Sequence, residues 1–121
     1  MKFILKIEFK MLDFTKEEKK EAKELLKKGI LKCHAEWLRD LKELLDSPFE
    51  EGSNEFERTM DITKRSRDFY KEAMRMEDYY NSSKIFFGIL NLYNDGYLIE
   101  EEISTLPERI QQAIKIWNKD F

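Results

Sequence analysis

The chain has 121 residues, the length of one domain with a single core, and 41% of them are hydrophobic. Four glycines and two prolines are too few for the turns of an all-β protein, and a net charge of −3 predicts no general affinity for nucleic acid or anionic membrane. The single cysteine, Cys33, excludes an intrachain disulfide and favours a reducing compartment.

The N-terminal sequence predicts a cytoplasmic protein. Its apolar run is too short for a signal peptide, because Lys6 and Glu8 interrupt it. The sequence also contains no stretch of about 18 apolar residues, so we expect no membrane-spanning segment.

Residues 2–14 contain an apolar pattern that admits two structures. A strand is predicted by the alternating residues Phe3, Leu5, Ile7, Phe9 and Met11. A helix is predicted by the spacing of Phe3, Ile7, Met11 and Phe14. A strand would lack a partner within this chain, since no second strand is evident. We therefore expect either a helix packed on the bundle, or a strand that pairs with another copy of the chain or with another protein. Because either structure leaves large apolar side chains to cover, we predict that residues 2–14, with these five alternating residues, contribute to a homodimer contact.

The first predicted helix begins at Thr15, where Thr15 and Glu18 have the spacing of a capping box, and it ends at Asp46-Ser47-Pro48. One apolar stripe follows its length: Ala22, Leu26, Ile30, Cys33, Trp37, Leu41 and Leu44, widened by Leu25, Leu38 and Leu45. We expect this stripe to face the core, with Trp37 as its anchor and His34 at its border. Gly29 lies inside the helix and is a possible kink.

The second predicted helix follows Asn54, which has Glu57 at the capping distance. Two sets of apolar or neutral residues recur at helical spacing: Phe56, Met60, Thr63, Tyr70 and Met74, and beside them Ile62, Phe69, Ala73, Met76 and Tyr80. The buried arc of this helix is therefore predicted to be wide, and a break is expected at Asn81–Ser83. The aromatic residues here and in the next helix are interpreted as core: Phe69, Tyr70, Tyr79, Tyr80, Phe86, Phe87 and Tyr93.

Two further helices complete the predicted fold. Residues 85–93 are apolar nearly all round, as in the central helix of a bundle, and Gly96 suits a left-handed cap. Thr105 and Glu108 repeat the capping spacing before a last helix with Ile110 and Trp117 on one face. We predict one all-α domain over residues 1–121. An N-terminal arm, residues 1–14, would be extended or a short helix, and residues 15–121 would form an antiparallel bundle of about four helices.

One set of acidic residues resembles a metal-binding motif: Glu17, Glu18 and Glu21, followed by Glu43 and Asp46. This spacing is similar to that of the all-α nucleotide pyrophosphohydrolases of the MazG-like family, and the resemblance implies magnesium held between two antiparallel helices. If residues 16–46 form one helix, however, Glu18 and Glu43 lie about 37 Å apart and cannot share an ion. A single histidine also excludes a di-iron site and leaves no catalytic triad. We therefore expect no catalytic residue, metal or cofactor.

Basic residues recur at helical spacing in the second predicted helix. Lys64, Arg67, Lys71 and Arg75 step by three and four residues and form what we call the basic ridge. One interpretation is an anion- or partner-contacting surface. The other is a solvated face that forms salt bridges with acidic residues of the neighbouring helix.

The sequence predicts a non-enzymatic helical protein-interaction module that binds an unknown protein partner and self-associates through residues 2–14. The alternative is a small nucleic-acid-associated regulator that uses the basic ridge. Salt distinguishes the two, since nucleic-acid binding weakens steeply with salt and an apolar interface does not.

Overall fold

A computed structural model describes residues 13–48, 51–81 and 83–120 of the chain, without the side chains of residues 119 and 120. Five α-helices lie in these residues: α1, Lys16–Asp46; α2, Glu55–Glu77; α3, Ile85–Asn94; α4, Glu100–Ile103; and α5, Glu108–Asp120. A short 3-10 turn, Asp78–Tyr80, follows α2. The all-α prediction is confirmed, since the described residues contain no strand.

The predicted self-association residues, Phe3, Leu5, Ile7, Phe9 and Met11, lie outside the described residues. The part of the N-terminal arm that the structure describes is Asp13 and Phe14, and the Phe14 ring is buried in the core.

Helix α1 begins and ends where its capping residues predict. The Thr15 hydroxyl accepts a hydrogen bond from the Glu18 N–H (3.2 Å), and the Glu18 carboxylate accepts one from the Thr15 N–H (2.9 Å). At the other end the Ser47 N–H donates to the Glu43 carbonyl, and Pro48 follows. The 31 residues form one continuous helix about 46 Å long, with no break at Gly29.

The two halves of α1 lie in different surroundings. Its buried residues all fall in the first half: Ala22, Leu25, Leu26, Gly29, Ile30 and Cys33. They join a core whose other members come mainly from the 3-10 turn, α3 and the chain that follows it. The second half, from His34 to Asp46, contains no buried residue and packs beside α2. We call this second half, together with α2, the helical hairpin.

Helix α1 packs most extensively against α3, and two glycines set how closely they approach. A Cβ atom on Gly88 would lie 2.5 Å from Tyr79 Cγ and 2.9 Å from Leu26 Cδ2. A Cβ atom on Gly29 would lie 2.9 Å from Leu92 Cδ1. Because glycine has no side chain, Leu26, Tyr79 and Leu92 can occupy the space that a Cβ atom would take at these two positions.

The segment between α2 and α4 follows the predicted breaks. Helix α2 gives way to the 3-10 turn, and Asn81 is extended before α3 begins. Helix α3 ends with Gly96 at φ +85°; the Gly96 N–H donates to the Tyr93 carbonyl and the Tyr97 N–H to the Leu92 carbonyl. This is the Schellman arrangement that a glycine permits.

The chain after Gly96 differs from the prediction in two respects. A one-turn helix, α4, was not predicted; the Glu102 carboxylate accepts a hydrogen bond from the Ile99 N–H at its start (3.0 Å). Thr105 does not cap α5, because its hydroxyl donates to the Glu102 carbonyl (3.0 Å) and so completes the preceding turn. Helix α5 begins at Glu108, directly after Pro107.

A half-buried ion pair joins the start of α1 to α5. The Arg109 guanidinium donates to both carboxylate oxygens of Glu18 (2.6 and 3.0 Å) and to the Asp13 carbonyl (2.7 Å). It thereby fixes the start of α1 against α5, in the fork geometry that favours arginine over lysine.

We expect Gly88→Ala to destabilise the fold by about 1–3 kcal/mol, because the new Cβ would overlap Tyr79 atoms close to the backbone. Gly29→Ala is the matched control. Its closest neighbours are the side-chain ends of Leu92 and Leu98, which can move, and alanine gains about 1 kcal/mol in helix propensity. Gly29→Ala should therefore lie within about 1 kcal/mol of wild type in urea denaturation. Equal losses at the two positions would contradict this account of the crossing.

A second expectation concerns pH. Hydrogen bonds from Arg109 and from the Thr15 N–H lower the pKa of Glu18 from 4.5 to about 2. Because the folded pKa is the lower one, the stabilisation by this carboxylate is complete above pH 4.5 and is lost as pH falls towards about 2. The difference in unfolding free energy between wild type and Glu18→Gln should shrink over that window, with Glu21→Gln controlling for removal of one exposed carboxylate. A difference that stays constant down to pH 2.5 would show that the ion pair does not act this way.

Candidate functional site

Only one of the two predicted apolar faces of α2 packs against the rest of the chain. Ile62, Phe69 and Ala73 are half-buried against the rest of the chain and Met76 is buried. The other face is exposed, so the prediction of a wide buried arc is wrong for Phe56, Met60, Tyr70 and Met74. Tyr70 likewise does not belong to the aromatic core to which the sequence assigned it.

Helix α1 has an exposed apolar line as well. Leu31, Leu38 and Leu45 are seven residues apart and therefore share one face of the helix. The prediction that Leu38 and Leu45 widen the buried stripe is wrong, because both point to solvent. Together with the four exposed α2 residues, these leucines form what we call the apolar strip. Its seven side chains are between 51% and 71% exposed.

The two halves of the apolar strip lie on the same side of α1 and α2, with Leu31 one turn before the hairpin. Glu36 and Asp40 of α1 and Glu72 of α2 line one pocket, which defines the opposite side. Leu38 is two residues from both Glu36 and Asp40, about 160–200° around the helix from them. Tyr70 and Met74 are two residues from Glu72 and are related to it in the same way. Both helices therefore present apolar residues on the side away from the pocket.

The basic ridge adjoins the apolar strip on α2. All four side chains are exposed, and Lys71 directly follows Tyr70 in the sequence. Arg75 pairs with Glu72 of its own helix (2.7 Å), and among the described residues Lys64, Arg67 and Lys71 form no ion pair. This exposure is what both interpretations of the ridge require, a solvated face and a contact surface. The expected salt bridges to the neighbouring helix are not present within the described part of the chain.

The tip and the middle of the hairpin are held by separate contacts. At the tip the Arg58 guanidinium donates to the Leu44 carbonyl, one of the carbonyls that the end of α1 leaves without a helical partner. In the middle the Trp37 ring stacks on Phe69, with centroids 5.0 Å apart and planes at 9°, and the His34 ring lies at 89° to that of Phe69 with centroids 5.1 Å apart. Trp37 is thus half-buried inside the hairpin and is not the core anchor that the sequence predicted.

The pocket on the other side of the hairpin has a volume of about 240 Å³. Carboxylates dominate its polar lining, from Glu36, Asp40, Glu72 and Asp95, and its floor includes Cys33 and Tyr97. The Tyr97 hydroxyl donates to Glu36 (2.9 Å). Burial raises the pKa of the Cys33 thiol, and burial and the Glu36 hydrogen bond raise that of Tyr97, so both groups keep their protons at neutral pH. Neither has the ionised form that a nucleophile requires.

The carboxylates that resemble a metal-binding motif lie far apart. Because α1 is a single helix, Glu18 and Glu43 cannot share an ion, and Glu18 is engaged by Arg109. The arrangement implied by the pyrophosphohydrolase spacing is therefore not formed. Within the part of the chain that the structure describes, no three His, Cys, Asp or Glu residues are grouped as metal ligands.

Comparison with protein-family models, curated proteins and solved structures finds no match to this chain. Among the described helices, none is both long and apolar enough to cross a membrane. The apolar strip is therefore the feature of the structure that most needs a functional explanation, since folded monomers rarely leave aligned apolar side chains on an outer face.

Six of the seven residues of the apolar strip, all but Leu31, belong to apolar patterns that the sequence assigned to the core. The available signal was that α2 has two apolar stripes on different faces. A helix of a small domain has one core to pack against, so a second stripe indicates a second contact.

Proposed function

We propose that the chain is a non-enzymatic, cytoplasmic protein-interaction module whose binding surface is the apolar strip of the hairpin. The observation that carries this proposal is the alignment of seven exposed apolar residues on one side of two neighbouring helices. Helices that bind partner helices use such lines of residues at three, four and seven positions apart. The hairpin itself is held by Trp37, Phe69 and Arg58, so the strip is not needed to keep its two helices together.

The test replaces part of the apolar strip. Leu38→Ser with Tyr70→Ser should leave the unfolding free energy within about 1 kcal/mol of wild type, because both side chains are exposed. The same change should abolish capture of protein partners from the native cell, and a partner purified afterwards should bind wild type but not the variant in calorimetry.

The matched control is Ile99→Ser with Ile116→Ser, which removes two exposed apolar side chains outside the hairpin. This control should keep the partner. Loss of binding in the control, or unchanged binding in the strip variant, would contradict the proposal.

Nucleic-acid regulation through the basic ridge is the second candidate. It is supported by the exposure of the ridge and by the absence, among the described residues, of ion pairs to Lys64, Arg67 and Lys71. The net charge of −3 and the apolar neighbours of the ridge favour a protein partner instead. Self-association through residues 2–14 also remains a proposal, and light scattering showing a monomer would remove it.

A further inference from the structure

We propose that the partner of the apolar strip is an acidic amphipathic helix, which lies along the hairpin and completes a three-helix bundle. This inference rests on the proposed function and adds to it the chemistry of the partner. The geometry of the strip and the sign of the charges beside it carry the inference.

The geometry of the strip fits one more helix. On α1, Leu31, Leu38 and Leu45 repeat every seven residues, which is the repeat of coiled-coil contact positions. On α2 the same alternating spacing runs through six positions, Phe56, Met60, Thr63, Arg67, Tyr70 and Met74, so Thr63 and Arg67 separate the two apolar pairs. Leu38 and Tyr70 lie on a common side of the hairpin, where a third helix of similar repeat can contact both helices.

The charges beside the strip select the partner. In a coiled coil the residues that flank the contact positions meet the flanking residues of the facing helix. Lys64 and Lys71 flank the strip on α2, Arg67 lies within its line, and Lys42 flanks it on α1. All four are exposed, and among the described residues none of the four forms an ion pair. Glutamate or aspartate in the flanking positions of the partner would pair with them, whereas lysine there would be repelled.

The position of the acidic residues of this chain supports the same choice. The carboxylates of the hairpin that line the pocket, including Glu36 and Glu72, lie on the side away from the strip. On the strip side the acidic residues Asp46 and Glu57 lie near the tip of the hairpin. The stretch beyond them holds Lys42, Lys64, Arg67 and Lys71 and is basic, although the whole chain is acidic. An acidic partner approaching the hairpin meets attraction on that side and repulsion on the other.

The experiment is a selection on the full chain with a displayed library of 21-residue helices. Leucine occupies every contact position of the library, and each flanking position is either Glu or Lys. We expect helices with mostly Glu in the flanking positions to be enriched at least tenfold over those with mostly Lys. A synthetic peptide of the winning sequence should lose at least tenfold in affinity for Lys64→Glu/Arg67→Glu/Lys71→Glu.

The matched control is Lys16→Glu/Lys20→Glu/Lys23→Glu, which makes the same change of net charge at the far end of α1. It should bind the acidic peptide within about threefold of wild type, the range expected for exposed charges beyond a Debye length from the peptide. An equal loss in both charge variants would show a general charge effect and would overturn the inference.

The remaining outcomes separate this inference from the proposed function. Enrichment of Lys-flanked helices that depends on Leu38 and Tyr70 would overturn the acidic partner and leave the proposed function standing. No enrichment of any helix would count against both. Tighter binding of a 20-base-pair DNA duplex or of phosphatidylserine vesicles than of the acidic peptide, at physiological salt, would overturn the inference in favour of those ligands.

Discussion

The close crossing of α1 and α3 is the constraint on which the rest of the structure depends. Gly88 allows Tyr79 and Leu26 to pack directly against the α3 backbone, and Gly29 gives Leu92 the same access to α1. Three of the seven largest fully buried side chains, Leu26, Ile85 and Ile89, belong to these two helices. Because α3 has only 10 residues, about 15 Å, it is too short to reach the second half of a helix of 31 residues. The second half of α1 therefore packs against a different element.

Helix α2 covers that other half, but only on one side. The Trp37–Phe69 stack and Arg58 at the tip hold the two helices side by side, and no other helix of the described residues forms a second layer over them. A layer of two helices has two sides that neither helix covers, and in this hairpin the two sides differ in polarity and charge. One side holds the carboxylate pocket; the other holds the apolar strip and its lysines. The proposed function follows from this division, since a third helix on the apolar side would complete the packing that the hairpin begins.

Features governed by neighbouring residues could be predicted from the sequence, and features governed by distant ones could not. The caps at Thr15, Asn54 and Gly96 involve residues within a few positions, so their spacing predicted them correctly. Periodicity also showed that Phe56 and Tyr70 share a face, but it does not say what covers that face. The predicted helix cap at Thr105 is wrong for a related reason. The unpredicted helix α4 places the Glu102 carbonyl where the Thr105 hydroxyl donates to it. The candidate site is the surface that no element of the described chain covers, and such a surface becomes visible only when the elements are placed.

Native-state hydrogen exchange tests the division of the molecule most directly. The account predicts that backbone amides of residues 22–33 and 85–92, which surround the crossing, open only with global unfolding. Amides of residues 38–45 and 56–70 should exchange through smaller openings, with free energies lower by at least about 1 kcal/mol, because fewer buried contacts hold them. Equal protection along the whole of α1 would contradict the account, since the hairpin would then be as well packed as the core and would have no need of a third helix.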